Sequence, residues 1–136
     1  MVEITLEMAE GAGKAALAKA KEIGVAMSVS VVDDGGRLVY CARGDGTGFF
    51  TPEISKGKAV ASAAFRFPTK NIGEGYSANP AFWGSAPTVL GGQILPAAGA
   101  VPIMRQGHII GAIGCSGGTG EQDHQCAEAG AATITG

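Results

Sequence analysis

Residues 107–126 read GHIIGAIGCSGGTGEQDHQC: a buried strand, a glycine-rich turn and a charged helix start in one run. From Ile109 to Cys115 both alternating faces are apolar, with Ile109, Gly111, Ile113 and Cys115 on one and Ile110, Ala112 and Gly114 on the other. A strand covered on both sides has this pattern, so it is expected to be central in its sheet. Ser116-Gly117-Gly118-Thr119-Gly120 then frees the backbone to turn, and Thr119 with Gln122 has capping-box spacing, which predicts a helix from about Gly120. Glu121, Asp123 and His124 fall in its first turn, so a strand end, backbone amides and three titratable groups converge. The acids also complement the helix dipole. The loop lacks the Lys-Ser/Thr of a P-loop and the dinucleotide glycine spacing, and its carboxylates would repel a phosphate.

Working back toward the N-terminus, Arg105-Gln106-Gly107-His108 predicts a turn into this strand, and Ala100 to Met104 and Gln93 to Leu95 predict short strands. The stretch from Phe67 to Pro87 is so rich in Gly, Pro, Ser and Asn that it predicts an irregular loop. Its aromatics, Tyr76, Phe82 and Trp83, suit either the cover of a ligand cavity or a subunit contact. Thr51-Pro52-Glu53 predicts a helix start with a capping hydroxyl, running to about Phe65. Lys58 lies on the stripe of Ile54, Ala61 and Phe65, where a lysine either snorkels out or meets an acid or a ligand. Gly44-Asp45-Gly46-Thr47-Gly48 suits either a tight connection, the commoner use of such a run, or the binding of an anion or ion. Asp33-Asp34-Gly35-Gly36 predicts a hairpin between strands 25–32 and 37–43. The first strand has a large face (Val25, Met27, Val29, Val31) and a small one (Ala26, Ser28, Ser30) that lets a helix pack closely. Thr5 and Gly24 bracket an amphipathic helix.

The order predicts an α+β fold with a mostly antiparallel sheet and packed helices, in a single domain spanning 1–136. Charged residues make up only 16% of the chain against roughly 25% in ordinary domains, which points to surface hidden in a homo-oligomer. A net charge of −2 without a basic cluster argues against nucleic acid or anionic membrane partners. The start has no signal-peptide pattern and the neutral run 75–104 is broken by Pro and Gly, so a soluble, cytoplasmic protein is expected. Cys41, Cys115 and Cys126 lack CxxC spacing and are expected as free thiols.

Four stretches together, VVDDGGRLV, ISKGKAVASAAF followed by Pro68-Thr69, AVPI and GAIGCSGGTGEQD, resemble the GlcG/HbpS family, also called the haem-degrading or DUF336 family. The resemblance covers nearly the whole chain. It implies a profilin-like fold of about five antiparallel strands, dimers assembled into octamers, and binding of haem or a corrinoid, with other members accompanying small-acid catabolism. His124 stands where an acid is common in the family, and Ala97-Ala98-Gly99 replaces a glycine-rich run. Three readings follow. In a haem binder, His124 or His108 supplies the imidazole to iron. In a small catabolic enzyme for an organic or keto acid, Lys58 or the amides of the glycine loop hold the carboxylate, while His124 with Asp123 moves a proton; the ligand-binding residues expected are Lys58, Ser116, Gly117, Gly118, Glu121 and His124. In the third the chain is a non-catalytic assembly module.

Overall fold

The structure is a computed structural model, described here for residues 3–135. The amphipathic pattern after Thr5 folds as helix α1, Leu6–Ile23; Thr5 Oγ1 accepts from the Met8 amide at 3.1 Å, and Gly24 closes the helix at φ 76°. Strands β1 (Ser28–Asp33) and β2 (Leu38–Ala42) form the expected hairpin. Asp33 organises its turn by accepting from the Gly35 and Arg37 amides at 3.0 and 2.9 Å. Helix α2 spans Thr51–Phe65, strand β3 Ala100–Arg105, strand β4 His108–Ser116 and helix α5 Gly120–Ala131. The described sheet has four antiparallel strands in the order β2-β1-β4-β3, one fewer than the resemblance implied, and β4 is internal as predicted. Helices α1 and α5 cover one face, and α2 covers the other.

The two faces of β1 differ as read from its residues. Met27, Val29 and Val31 enter the core beneath α1 and α5. The small face meets α2 through hydroxyls: Ser30 Oγ lies 2.7 Å from Ser55 Oγ, and Ser28 Oγ 2.8 Å from Thr51 Oγ1. Thr51 is therefore not the capping residue expected. Phe50 holds that position without a side-chain cap, and the Thr51 hydroxyl donates back to the Gly48 carbonyl. Gly114 of β4 completes the close approach, since a Cβ there would run into the Ser55 carbonyl and stand 2.8 Å from the Ala59 amide.

Three further expectations change. The predicted irregular loop contains two short helices, α3 (Lys70–Ala78) and α4 (Pro80–Val89). Only some of its breakers mark helix ends: Asn79 separates the two, and Pro80 occupies the first position of α4, where no amide is required, whereas Gly73, Gly75, Gly84, Ser85 and Pro87 lie within the helices. Gly75 lets Trp83 approach, and Trp83 packs edge-on against Phe65 at 4.9 Å in a second core shared with Ala61, Ile72 and Ile94. Gln93 to Leu95 is not a strand, because after Gly91 and Gly92, both at positive φ, it runs along α2, where Leu95 donates to the Gly57 carbonyl. The third change is a bulge in β4: Ile103 faces Gly111 while Met104 faces Ile109, leaving Ile110 as the extra residue. Ile110 therefore joins Ile113 and Cys115 in the α1/α5 core, and Ile109 is released from the face on which simple alternation had placed it. The outer edge of β3 is blunted by Thr69, which exchanges hydrogen bonds with Ala100, and by Pro102, which has no amide to offer.

Candidate functional site

The glycine-rich turn delivers what its sequence promised locally. Thr119 Oγ1 accepts from the Gln122 amide at 3.2 Å and Gln122 Oε1 accepts from the Thr119 amide at 2.9 Å, a complete capping box. This fixes the first turn of α5 and directs Asp123 inward. Lys58 from α2 reaches it: Nζ lies 2.8 Å from Asp123 Oδ2 and 3.1 Å from the Cys115 carbonyl, while Asp123 Oδ1 accepts from the Gly118 amide at 2.9 Å. Both side chains are buried. Of the two fates open to Lys58 in the sequence, snorkelling or meeting a partner in the interior, the second holds, and the partner is the acid of the same protein.

Of the residues singled out, Lys58, Asp123, Ser116 and the Gly117-Gly118 backbone come together; the others separate. Glu121 is exposed, near the Gln125 amide. His124 follows Asp123 directly but is turned by about 100° around the helix axis. Its side chain is only 3% exposed, and Nε2 lies 3.2 Å from Glu128 Oε1. His108 is exposed at the opposite end of β4, eight residues from Ser116, or about 26 Å along a strand. The two histidines thus belong to different places.

His108 lines a cleft of about 550 Å³ together with Asp34, Arg66, Met104 and Ile109. A second cleft, of about 500 Å³, shares Arg66, Met104 and Ile109 with it and continues past Phe67, Pro68 and Val101 to Glu128. The two form one groove with apolar walls and charged margins. Arg66 was not singled out in the sequence. It ends α2 at φ 66°, a conformation that suits glycine and costs another residue about 1 kcal/mol or more. Its helix-terminal position before Phe67-Pro68 was the available signal. Met104 and Ile109 reach the groove because of the bulge, which no local pattern announces.

The three cysteines are free thiols. Burial raises the Cys115 thiol well above its ordinary value, with the neighbouring Cys126 and Asp123 adding to the effect and Lys58 opposing it. Burial, then Asp123, pushes Cys126 up to about 11.

An α+β sheet sandwich with helices on both faces, and a lysine–aspartate joint at one end of the central strand, defines a profilin-like architecture. A family model described as haem degrading protein HbpS-like matches residues 4–132, and the chain belongs to that family. A 15.0 kDa protein of the dhaT-dhaS intergenic region of Citrobacter freundii is 36% identical over 125 residues, covering 92% of this chain and 87% of that protein. The crystal structure of a Streptomyces reticuli HbpS double mutant matches with a TM-score of 0.88 at 30% identity, covering 98% of this chain and 88% of that one. A PduOC:heme complex matches with a TM-score of 0.87 at 26% identity, covering 98% and 96%.

Two outcomes test this chemistry. Lys58→Met leaves the Asp123 carboxylate buried without its cation and is expected to cost about 3–5 kcal/mol in chemical denaturation, whereas Lys58→Met combined with Asp123→Leu recovers most of the loss. Recovery is not expected if the two groups act independently. The Cys126 thiol keeps its proton to about pH 11 in the folded state and ionises near its ordinary value of 9.0 when unfolded. Its contribution to stability is therefore complete below pH 9 and falls as pH rises toward 11. Denaturation midpoints for the parent and Cys126→Ala between pH 8 and pH 10.5, roughly that window, should converge as pH rises.

Proposed function

We propose that this protein binds haem or a related tetrapyrrole in the groove around Arg66, Met104 and Ile109, with His108 as the imidazole presented to the metal. The observation that carries this reading is the exposed His108 within a cleft of about 550 Å³ that continues along apolar walls. That volume lies within the range of small-ligand pockets. The residues fit the chemistry: imidazole and thioether are both haem-iron ligands, and an arginine at the margin suits a propionate. The family match and the haem complex of the structurally similar PduOC support the same class of ligand. Haem, when bound, supplies a redox-active iron; the protein's part is to hold the macrocycle edge, offer nitrogen and exclude water.

His124, the other imidazole considered for iron, is enclosed, which favours His108 for a planar macrocycle. The organic-acid reading draws less support, since Lys58 and Asp123 satisfy each other and leave no free cation there for a carboxylate. Hemin added to the purified protein should produce a Soret band that His108→Ala shifts or removes and that Arg66→Gln weakens. A band unaffected by His108→Ala would move the iron ligand elsewhere; no band at all would remove the tetrapyrrole reading.

We further propose a cytoplasmic homo-oligomer, from dimer to octamer. Among the described residues no helix is long and apolar enough to cross a membrane. Phe49 and Phe50 lie with ring centroids 4.2 Å apart, tilted by 40°, while 69% and 61% exposed, and Phe50 borders a cleft with Ile54 and Leu95. Apolar area of this kind is what a subunit contact covers. Light scattering at micromolar concentration should give a multiple of 13.5 kDa, and Phe50→Glu should lower it; a monomeric parent mass would refute the assembly.

A further inference from the structure

His124 is enclosed, yet neither Nδ1 nor Nε2 has a hydrogen-bond partner. A buried polar group left in that state forfeits the hydrogen bonds it would make to water. Glu128, one turn further along α5, is close enough to help, with Oε1 3.2 Å from His124 Nε2. The contact has ion-pair length but not hydrogen-bond geometry, because the oxygen lies off the direction in which the ring nitrogen donates or accepts.

An off-axis oxygen at this distance is what two ligands of one cation display. Metal bonds to histidine nitrogen and carboxylate oxygen are about 2.0–2.2 Å long, so a nitrogen and an oxygen 3.2 Å apart subtend about 100° at a shared ion. That angle falls between the octahedral and tetrahedral values. The i,i+4 spacing places both donors on one face of the helix. Glu128 has a 61% exposed side chain and lines the groove, so one of the two donors is open to solvent.

We propose that His124 and Glu128 form a site for a divalent cation of borderline softness, of which Zn²⁺ is representative. No third His, Cys, Asp or Glu joins them among the described residues, so the remaining coordination positions belong to water or to oxygen donors of a bound molecule. Imidazole with carboxylate suits Zn²⁺ or Co²⁺ better than Ca²⁺, which prefers an all-oxygen shell. The ion gives the imidazole its missing partner and neutralises the adjacent carboxylate. This site is independent of the tetrapyrrole reading, which places iron on His108.

The probes are Zn²⁺, followed by calorimetry and by its effect on thermal unfolding, and Co²⁺, followed by visible absorption. The parent should bind one Zn²⁺ per chain, unfold at a higher temperature with it, and give ligand-field bands with Co²⁺. Glu128→Gln alters an exposed side chain, so it should fold normally and weaken Zn²⁺ by at least about tenfold; His124→Gln should lose the Co²⁺ bands. His108→Ala should leave both unchanged, which separates failure here from failure of the haem assignment. Absence of Zn²⁺ binding in the parent, or affinity unaltered in Glu128→Gln, overturns the proposal even if His124→Gln does not fold.

Discussion

A lysine ammonium and an aspartate carboxylate meet at 2.8 Å in the interior, and their layers come together around that contact. Lys58 rises from the helix on one face of the sheet; Asp123 descends from a helix on the other. They meet at the end of the central strand, where the Cys115 carbonyl takes a second ammonium proton and the Gly118 amide serves the second carboxylate oxygen. Each ion costs several kcal/mol to desolvate, so the pair contributes less net stability than its distance suggests. Its consequence is register. Moving either helix along its axis would strand a charge, so the pair ties α2, β4 and the start of α5 to one another.

Nearby glycines are consequences of this joint. Gly99 adopts φ 134°, and a Cβ there would stand 2.9 Å from both Lys58 Nζ and Asp123 Cβ, so the chain can pass the pair only without a side chain. Gly118 similarly has its space taken by Gln122 of the capping box and by Val25. The conspicuous SGG run, which in isolation suggests a ligand cradle, is thus partly explained by the protein's own lysine, aspartate and cap. A glycine-rich loop at a strand end is not automatically a binding loop; its amides must first be shown to be unspent, and here the Gly118 amide is spent on Asp123.

What the sequence revealed followed from contacts near in sequence. The Thr5 cap, the Asp33 turn and the Thr119–Gln122 box each depend on side chains within four residues of the backbone they serve, so their spacing carried the information. Lys58 on an apolar stripe left snorkelling and a buried partner both open, because the partner that decides between them is 65 residues away. Helices α3 and α4 were obscured by composition: Gly73, Gly75, Gly84 and Pro87 lie within them, and the aromatic contacts of Trp83 that hold the pair against α2 are tertiary. The bulge at Ile110 was invisible for the same reason. Strict alternation put Ile109 in the core, but pairing with β3 adds a residue and releases it to the groove with Met104.

The same bulge separates the ends of β4 chemically. Toward Ser116 the strand is internal on both faces and its neighbouring charges are mutually satisfied, so that end is suited to rigidity. Toward His108 the alternation is broken, the turn passes through Gln106 and Gly107 at positive φ, and imidazole, thioether and guanidinium border one groove. Arg66 there accepts an unfavourable backbone conformation where glycine would be relaxed, and Pro102 leaves the adjacent edge unsuited to another strand. The left-handed turn at Arg66 stops α2, and Pro102 blunts the sheet edge, so this end of β4 is bounded by irregular backbone while the other is held by paired charges. On α5, Glu128 lines the far part of that groove while His124 stays enclosed behind it, so a cation held by the two and a macrocycle at His108 would use different donors.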